Sequence, residues 1–165
     1  MTSTPDVLVV DHSDNDAEIT LLGIRQAAPH ATALRLKDGD EALQFMFCRD
    51  AFAARMPQIP QLIFLEDDEL SARRASHVLH ELHLGGFTDR TSVIILASTV
   101  TPDLIDRSYV LGAKGCVVKP IDVESYCATV RALVDRWMLS QRGEVDIGSS
   151  DSDPTDSLET DASNR

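Results

Sequence analysis

The chain has 165 residues, 43% hydrophobic and 25% charged, with 27 acidic against 15 basic side chains and a net charge of −12. That balance is ordinary for a globular protein and excludes a wholly disordered chain or a long coiled coil. The negative charge argues against a nucleic-acid partner, and no apolar run nears the roughly 20 residues of a membrane helix.

The elements follow in chain order. Val7–Val10 reads as a first strand. Ser13 or Asp14 caps a helix running to about Ala28, with Ile19, Leu22 and Ile24 as its buried stripe and Pro29 as its stop. Thr32–Leu36 is a second strand, alternating enough to lie at an edge. Gly39 to Phe52 reads as a helix carrying Ala42, Leu43, Phe45, Met46 and Phe47. Leu62–Leu65 is a third strand, followed by a helix over Arg74–Leu84 that Gly85-Gly86 ends. Val93–Leu96 is the fourth strand, and Thr101–Leu111 a helix with Pro102 in its first turn. Cys116–Val118 is the fifth strand. The last helix runs from Asp122 to about Leu139. Its stripe of Tyr126, Val130, Leu133, Val134 and Trp137 is broad enough either to cover the sheet or to offer a partner or homodimer face through the C-terminal helices.

At about Gly143 the composition changes. Residues 143–165 hold seven acids (Glu144, Asp146, Asp151, Asp153, Asp156, Glu159, Asp161) against Arg165, or −6, with no aromatic residue. Such a segment buries too little to offset its ordering entropy. The expected organisation is one domain over 1–142 and a disordered acidic tail over 143–165. Cys48, Cys116 and Cys127 are scattered, odd in number and form no CxxC pair, which predicts reduced thiols in the cytoplasm. The opening residues carry no cation and no long apolar stretch, so no secretion signal is expected.

Four of the five strand runs are continuously apolar, as strands covered on both faces should be. Alternating with helices, they predict an α/β protein: a five-stranded parallel sheet, doubly wound. Ligands of such sheets sit outside the carboxyl ends of the strands. There the chain places Asp11-His12-Ser13-Asp14, Glu66-Asp67-Asp68-Glu69, Ala97-Ser98-Thr99 and Lys119-Pro120. Acids and one lysine around a common mouth suit a divalent cation or a phosphoryl group. Asp11-His12-Ser13 holds the three residue types of a hydrolytic triad, but sequence neighbours at a strand end point in different directions and form no relay. His77, His80 and His83 repeat at spacing three on one helix, which reads as a metal site or a solvated face.

Val7-Leu8-Val9-Val10-Asp11-His12, Asp38-Gly39-Asp40-Glu41-Ala42-Leu43, Leu62-Ile63-Phe64-Leu65-Glu66 and Leu111–Pro120 together resemble the receiver domain of two-component response regulators, over about residues 5–139. The long loop before Pro60 and the final helix near Trp137 resemble the single-domain regulators of bacterial phytochromes and related histidine kinases. The resemblance implies a (βα)5 flavodoxin-like (CheY-like) fold and a role in phosphorelay signalling. It implies no enzyme activity of the chain's own, and a sensor histidine kinase or another signalling protein as partner. Receivers accept a phosphoryl group on an aspartate ending the third strand. They hold magnesium with that aspartate, an acidic pair after the first strand and a backbone carbonyl. A Thr or Ser after the fourth strand and the Lys of Lys-Pro grip the phosphoryl oxygens, and an aromatic on the fifth strand reports the event. The Lys-Pro bond is implied to be cis.

The chain departs from that pattern at four positions. The acceptor position holds Glu66. The acidic pair is Asp11 then His12. The hydroxyl position falls on Ala97, with Ser98 next, and the aromatic switch position falls on Cys116. Asp11 and Lys119 remain. One extra methylene moves the Glu66 carboxylate outward by about 1 Å, enough to cost about a hundredfold in rate, and it could let Glu66 reach Lys119. The expectation is an atypical receiver, a pseudo-receiver that works through protein–protein contact and needs no cofactor. The alternatives are a phosphoacceptor at Glu66, Asp67 or Asp68 with magnesium on Asp11, Glu66 and Asp68, and a pure interaction or dimerisation scaffold. Asp67 should point away from Glu66 if the strand continues.

Overall fold

The computed structural model describes residues 3–70 and 73–139, so the acidic segment 143–165 and the boundary at 142 lie outside the described residues. Five strands form one parallel sheet in the order β2-β1-β3-β4-β5, with β1 Val7–Val10, β2 Ala33–Leu36, β3 Leu62–Asp67, β4 Ser92–Ala97 and β5 Gly115–Val118. The helices between and after them are α1 Asp14–Ala27, α2 Gly39–Met46, α3 Ala75–Leu84, α4 Pro102–Val110 and α5 Val123–Val134. This is the expected doubly wound α/β architecture, with β2 at an edge.

Period-two alternation divides the strands between two cores. Leu8, Val10, Ile63, Leu65, Val93 and Ile95 face Ala42, Phe45 and Met46 of α2 and Val78, Leu79 and Leu82 of α3. Val7, Val9, Leu62, Phe64, Ile94 and Leu96 face Ala17 and Ile24 of α1 and Tyr126, Val130 and Val134 of α5. The same alternation, carried past the apolar runs, aims the polar residues at the strand ends. Asp11 follows the parity of Val9, Glu66 that of Phe64 and Lys119 that of Val117, so all three project toward the α1/α5 side. Asp67 follows Leu65 and projects toward α3.

Five local expectations change. The buried stripe of α1 is Ala17, Thr20, Gly23 and Ile24, while Leu22 is exposed. The reason is close approach to α5: a Cβ at Gly23 would lie 2.8 Å from the Val130 Cβ. Helix α2 stops at Met46, because Cys48 (φ 52°) and Asp50 (φ 49°) take left-handed conformations that a right-handed helix cannot include; a 3₁₀ turn over Asp50–Phe52 follows. Strands β3 and β4 run on to Asp67 and Ala97, past the apolar residues that announced them. Helix α5 ends at Val134 and continues as a π-helical turn over Asp135–Leu139. No peptide bond among the described residues is cis, so Lys119-Pro120 is trans, the form an X–Pro bond favours by about 0.5–1 kcal/mol.

The apolar stripe of α5 covers the chain's own sheet: Tyr126, Val130, Val134 and Met138 are buried, with Leu133 and Trp137 packed on them. His77, His80 and His83 line an exposed face of α3. No helix among the described residues is long and apolar enough to cross a membrane.

Candidate functional site

The crevice at the carboxyl ends of β1 and β3, where the sheet order reverses, is centred on Lys119. Its ammonium nitrogen lies 2.9 Å from Asp11 Oδ2, 2.9 Å from Asp16 Oδ2 and 2.6 Å from Glu66 Oε1. The lysine side chain is 5% exposed, Asp11 2% and Glu66 8%. Three N–H donors thus meet three carboxylates, which satisfies the buried ammonium completely.

His12 closes the mouth. Its Nδ1 lies 2.6 Å from Glu66 Oε2, its backbone N–H donates to the same oxygen at 3.0 Å, and its Nε2 lies 3.2 Å from Asp68 Oδ2. Arg35, from β2, donates to the Asp11 carbonyl at 2.9 and 3.1 Å and to Asp14 at 2.7 Å, holding the β1–α1 turn. Asp67 is turned away, as alternation requires. It accepts two bonds from Arg74, at 3.1 and 2.7 Å, and one from the Ala75 N–H at 3.1 Å, so its carboxylate anchors the start of α3.

The remaining expected residues take other places. Ala97 is buried, and its carbonyl accepts from the Lys119 N–H at 2.8 Å. Ser98 is exposed and lines, with Thr99, Asp67, Asp68, Arg74 and Arg107, a cleft of about 750 Å³ toward α3 and α4. Cys116 is half-buried against the α2/α3 core; desolvation pushes its thiol up, against a bond with Ser108. Asp16 and Arg35 are site residues the sequence reading missed. Asp16 follows Asp11 by one helical entry turn, a usable signal. Arg35 carries none, since only strand pairing brings it beside Asp11.

Burial pushes the Asp11 carboxyl up to about 6, because one shared ammonium only partly offsets the loss of water. Burial acts on Glu66 in the same direction, but the bonds from Lys119 and from the His12 amide and ring outweigh it and hold Glu66 down at about 2. The bond to Glu66 raises His12 above its ordinary value, and the carboxylates raise Lys119 despite desolvation. These shifts predict how stability changes with pH. Between its folded value of about 6 and its ordinary 3.8, folded Asp11 binds a proton that the unfolded chain does not, so acidification through pH 6 stabilises. Raised His12 acts in the same sense as pH falls through its folded value. Glu66 works oppositely, losing stabilisation as pH falls from 4.5 toward 2. Stability measured by urea unfolding should therefore peak between about pH 4 and 6. The rise from pH 7 to 5 should shrink in Asp11→Asn.

Among the described residues, Asp11, His12 and Glu66 form the one group whose ligand atoms lie close enough to hold a metal ion. They do not fit magnesium. That ion demands near-octahedral oxygen ligands, whereas Asp11 Oδ2 and Glu66 Oε1 are taken by the Lys119 ammonium and position 12 presents nitrogen.

No family model and no curated protein sequence matches this chain. Solved structures do. The chain is similar to the phosphorylated cyanobacterial phytochrome response regulator RcpA, at 19% identity and a TM-score of 0.74, over 84% of this chain and 96% of that one. It is similar to the response regulator RPA3017 of red-light signalling in R. palustris, at 26% identity and a TM-score of 0.69, over 82% and 94%. It is similar to the manganese-bound form of response regulator Rcp1, at 20% identity and a TM-score of 0.72, over 81% and 94%. The fold is that of the response-regulator receiver domain, flavodoxin-like and CheY-like. Phytochrome response regulators are among the structures that share it.

Proposed function

We propose that this chain is an atypical receiver of two-component signalling that works by binding other proteins, without a phosphoryl switch and without enzymatic activity of its own. The carrying observation is the Lys119 ammonium held at once by Asp11, Asp16 and Glu66. In the receiver scheme that lysine and the acceptor carboxylate meet an incoming phosphoryl group and a cation. Here the lysine is already neutralised, the carboxylate at the acceptor position is committed to Lys119 and His12, and Asp67 is committed to Arg74. Phosphoryl transfer depends on positioning and charge neutralisation, and this arrangement leaves neither free.

The likeness to phytochrome response regulators supports a sensor histidine kinase, or another protein of such a pathway, as the partner. The large apolar side chains exposed around edge strand β5 are the surface proposed for it: Tyr109 and Val110 of α4, Val118, Ile121, and Val123 of α5. The test is incubation of the full chain with a small phosphodonor and magnesium, read by intact mass. No gain of about 80 Da, the mass of one phosphoryl group, is expected. A robust, stable gain on Glu66, Asp67 or Asp68 would overturn the reading in favour of a competent acceptor.

A further inference from the structure

The cleft of about 750 Å³ between α3 and α4 is separate from the Lys119 cluster. It is walled by the β3–α3 loop, the start of α3, the β4–α4 loop and α4, and none of Asp11, His12, Glu66 and Lys119 lines it. Strand parity explains the separation. Asp11, Glu66 and Lys119 project toward the α1/α5 side of the sheet, whereas Asp67 projects toward α3. The volume is that of a small-molecule pocket.

The hydrogen-bonding capacity left unspent in the cleft describes its ligand. Its two aspartates are spent within the protein. Asp67 is held by Arg74 and the Ala75 N–H, and Asp68 by the Leu70 N–H at 2.9 Å and by His12. The two guanidinium groups keep donors. Arg74 gives Nε and Nη2 to Asp67 and retains Nη1. Arg107 gives only Nη2 to Asp103, in an exposed pair one helical turn apart that contributes little. Ser98 and Thr99 have no hydrogen-bond partner among the described residues, and Thr101 accepts from the Leu104 N–H while keeping its own O–H. Glu69 is exposed on the same wall, an acceptor without a partner among the described residues.

We propose that this cleft binds a small phosphorylated polyol, a sugar phosphate or a shorter relative. Arg74 and Arg107 take the phosphate, since a planar guanidinium matches phosphate oxygens and carries its charge at every physiological pH. The hydroxyls of Ser98, Thr99 and Thr101 and the Glu69 carboxylate take the alcohol groups, each of which both donates and accepts. No aromatic ring lines the cleft, so nothing there stacks a nucleobase. Leu70 and Leu104 are its large apolar side chains, too little surface for a lipid tail. The site is independent of the partner-binding reading, and either can fail without the other.

The experiment titrates the full chain by calorimetry with glucose-6-phosphate and glycerophosphate, and with inorganic phosphate, glucose and adenosine monophosphate as controls. One sugar phosphate per chain should bind, about tenfold or more tighter than inorganic phosphate, while glucose alone gives no heat. Arg107→Gln, an exposed and therefore tolerated change, should weaken the sugar phosphate by about tenfold or more. The double variant Ser98→Ala, Thr99→Val should remove the preference for the sugar phosphate over inorganic phosphate and leave the binding of inorganic phosphate unchanged. Absence of binding by both phosphorylated polyols would overturn the proposal. So would binding that Arg107→Gln leaves intact, since the ligand would then sit elsewhere. Inorganic phosphate binding as tightly as its sugar ester would show a simple anion site, and adenosine monophosphate binding more tightly than either polyol would show a different ligand class; either result rejects the polyol.

Discussion

Replacing Lys119 with methionine lowers stability by about 3–5 kcal/mol at neutral pH, the range for removing one partner of a buried ionic cluster. The charge lost is central: the ammonium is the shared donor to Asp11, Asp16 and Glu66, and both Asp11 and Glu66 are almost wholly out of water. Without it two carboxylates face each other in a desolvated corner. The loss should be smaller at pH 5, where the carboxyls relieve the repulsion by taking up protons. Urea unfolding of the variant at pH 7 and pH 5 measures both. The combination Lys119→Met, Asp11→Asn and Glu66→Gln should recover most of the loss, because neutral amides need no counter-charge. A Lys119→Met protein as stable as the parent would show that the cluster contributes nothing to the fold.

The second large effect concerns function. Glu66→Asp alone should leave the chain unreactive toward a small phosphodonor. The triple variant Glu66→Asp, His12→Asp, Ala97→Ser should acquire phosphorylation at least a hundred times faster than the single variant, read as a gain of about 80 Da. Each change acts on a separate requirement. Shortening residue 66 draws its carboxylate back from Lys119 and from the His12 ring. Aspartate at 12 supplies the hard oxygen ligand that magnesium needs. A hydroxyl at 97 supplies a donor to the transferring group. These requirements multiply, so one correction cannot show itself while the others are missing. A single Glu66→Asp variant that phosphorylates readily would mean that His12 and Ala97 are compatible with the reaction and that the glutamate alone blocks it.

Where the sequence misled, the physical causes are local. The apolar runs understate β3 and β4, because strand pairing continues through Glu66-Asp67 and Ala97, after the apolar signal stops. The apolar rhythm of Phe47 and Phe52 continues beyond the end of α2 at Met46. Those rings are in fact placed by the turn itself, edge-on to Phe87 and Phe45. The largest apolar residues of α1 do not define its buried stripe, because the approach of α5 selects the smallest residue, Gly23.

What the amino-acid order determined by itself was the alternation of strands and helices, the start of the first helix at Ser13 or Asp14, and the set of residues that stand at the strand ends. These depend on neighbours within a turn or a pleat, and local chemistry decides them. Also legible was the departure at Glu66, His12, Ala97 and Cys116, since it is a matter of residue type. Only the tertiary structure decided how the charges divide. Lys119 is 53 residues from Glu66, 103 from Asp16 and 108 from Asp11. No pattern along the chain says which carboxylates share its ammonium, which one Arg74 takes, or that His12 bridges Glu66 to Asp68. Those partnerships follow from parallel pairing that brings four strand ends together in a water-poor crevice, where each charge must find its partner through space.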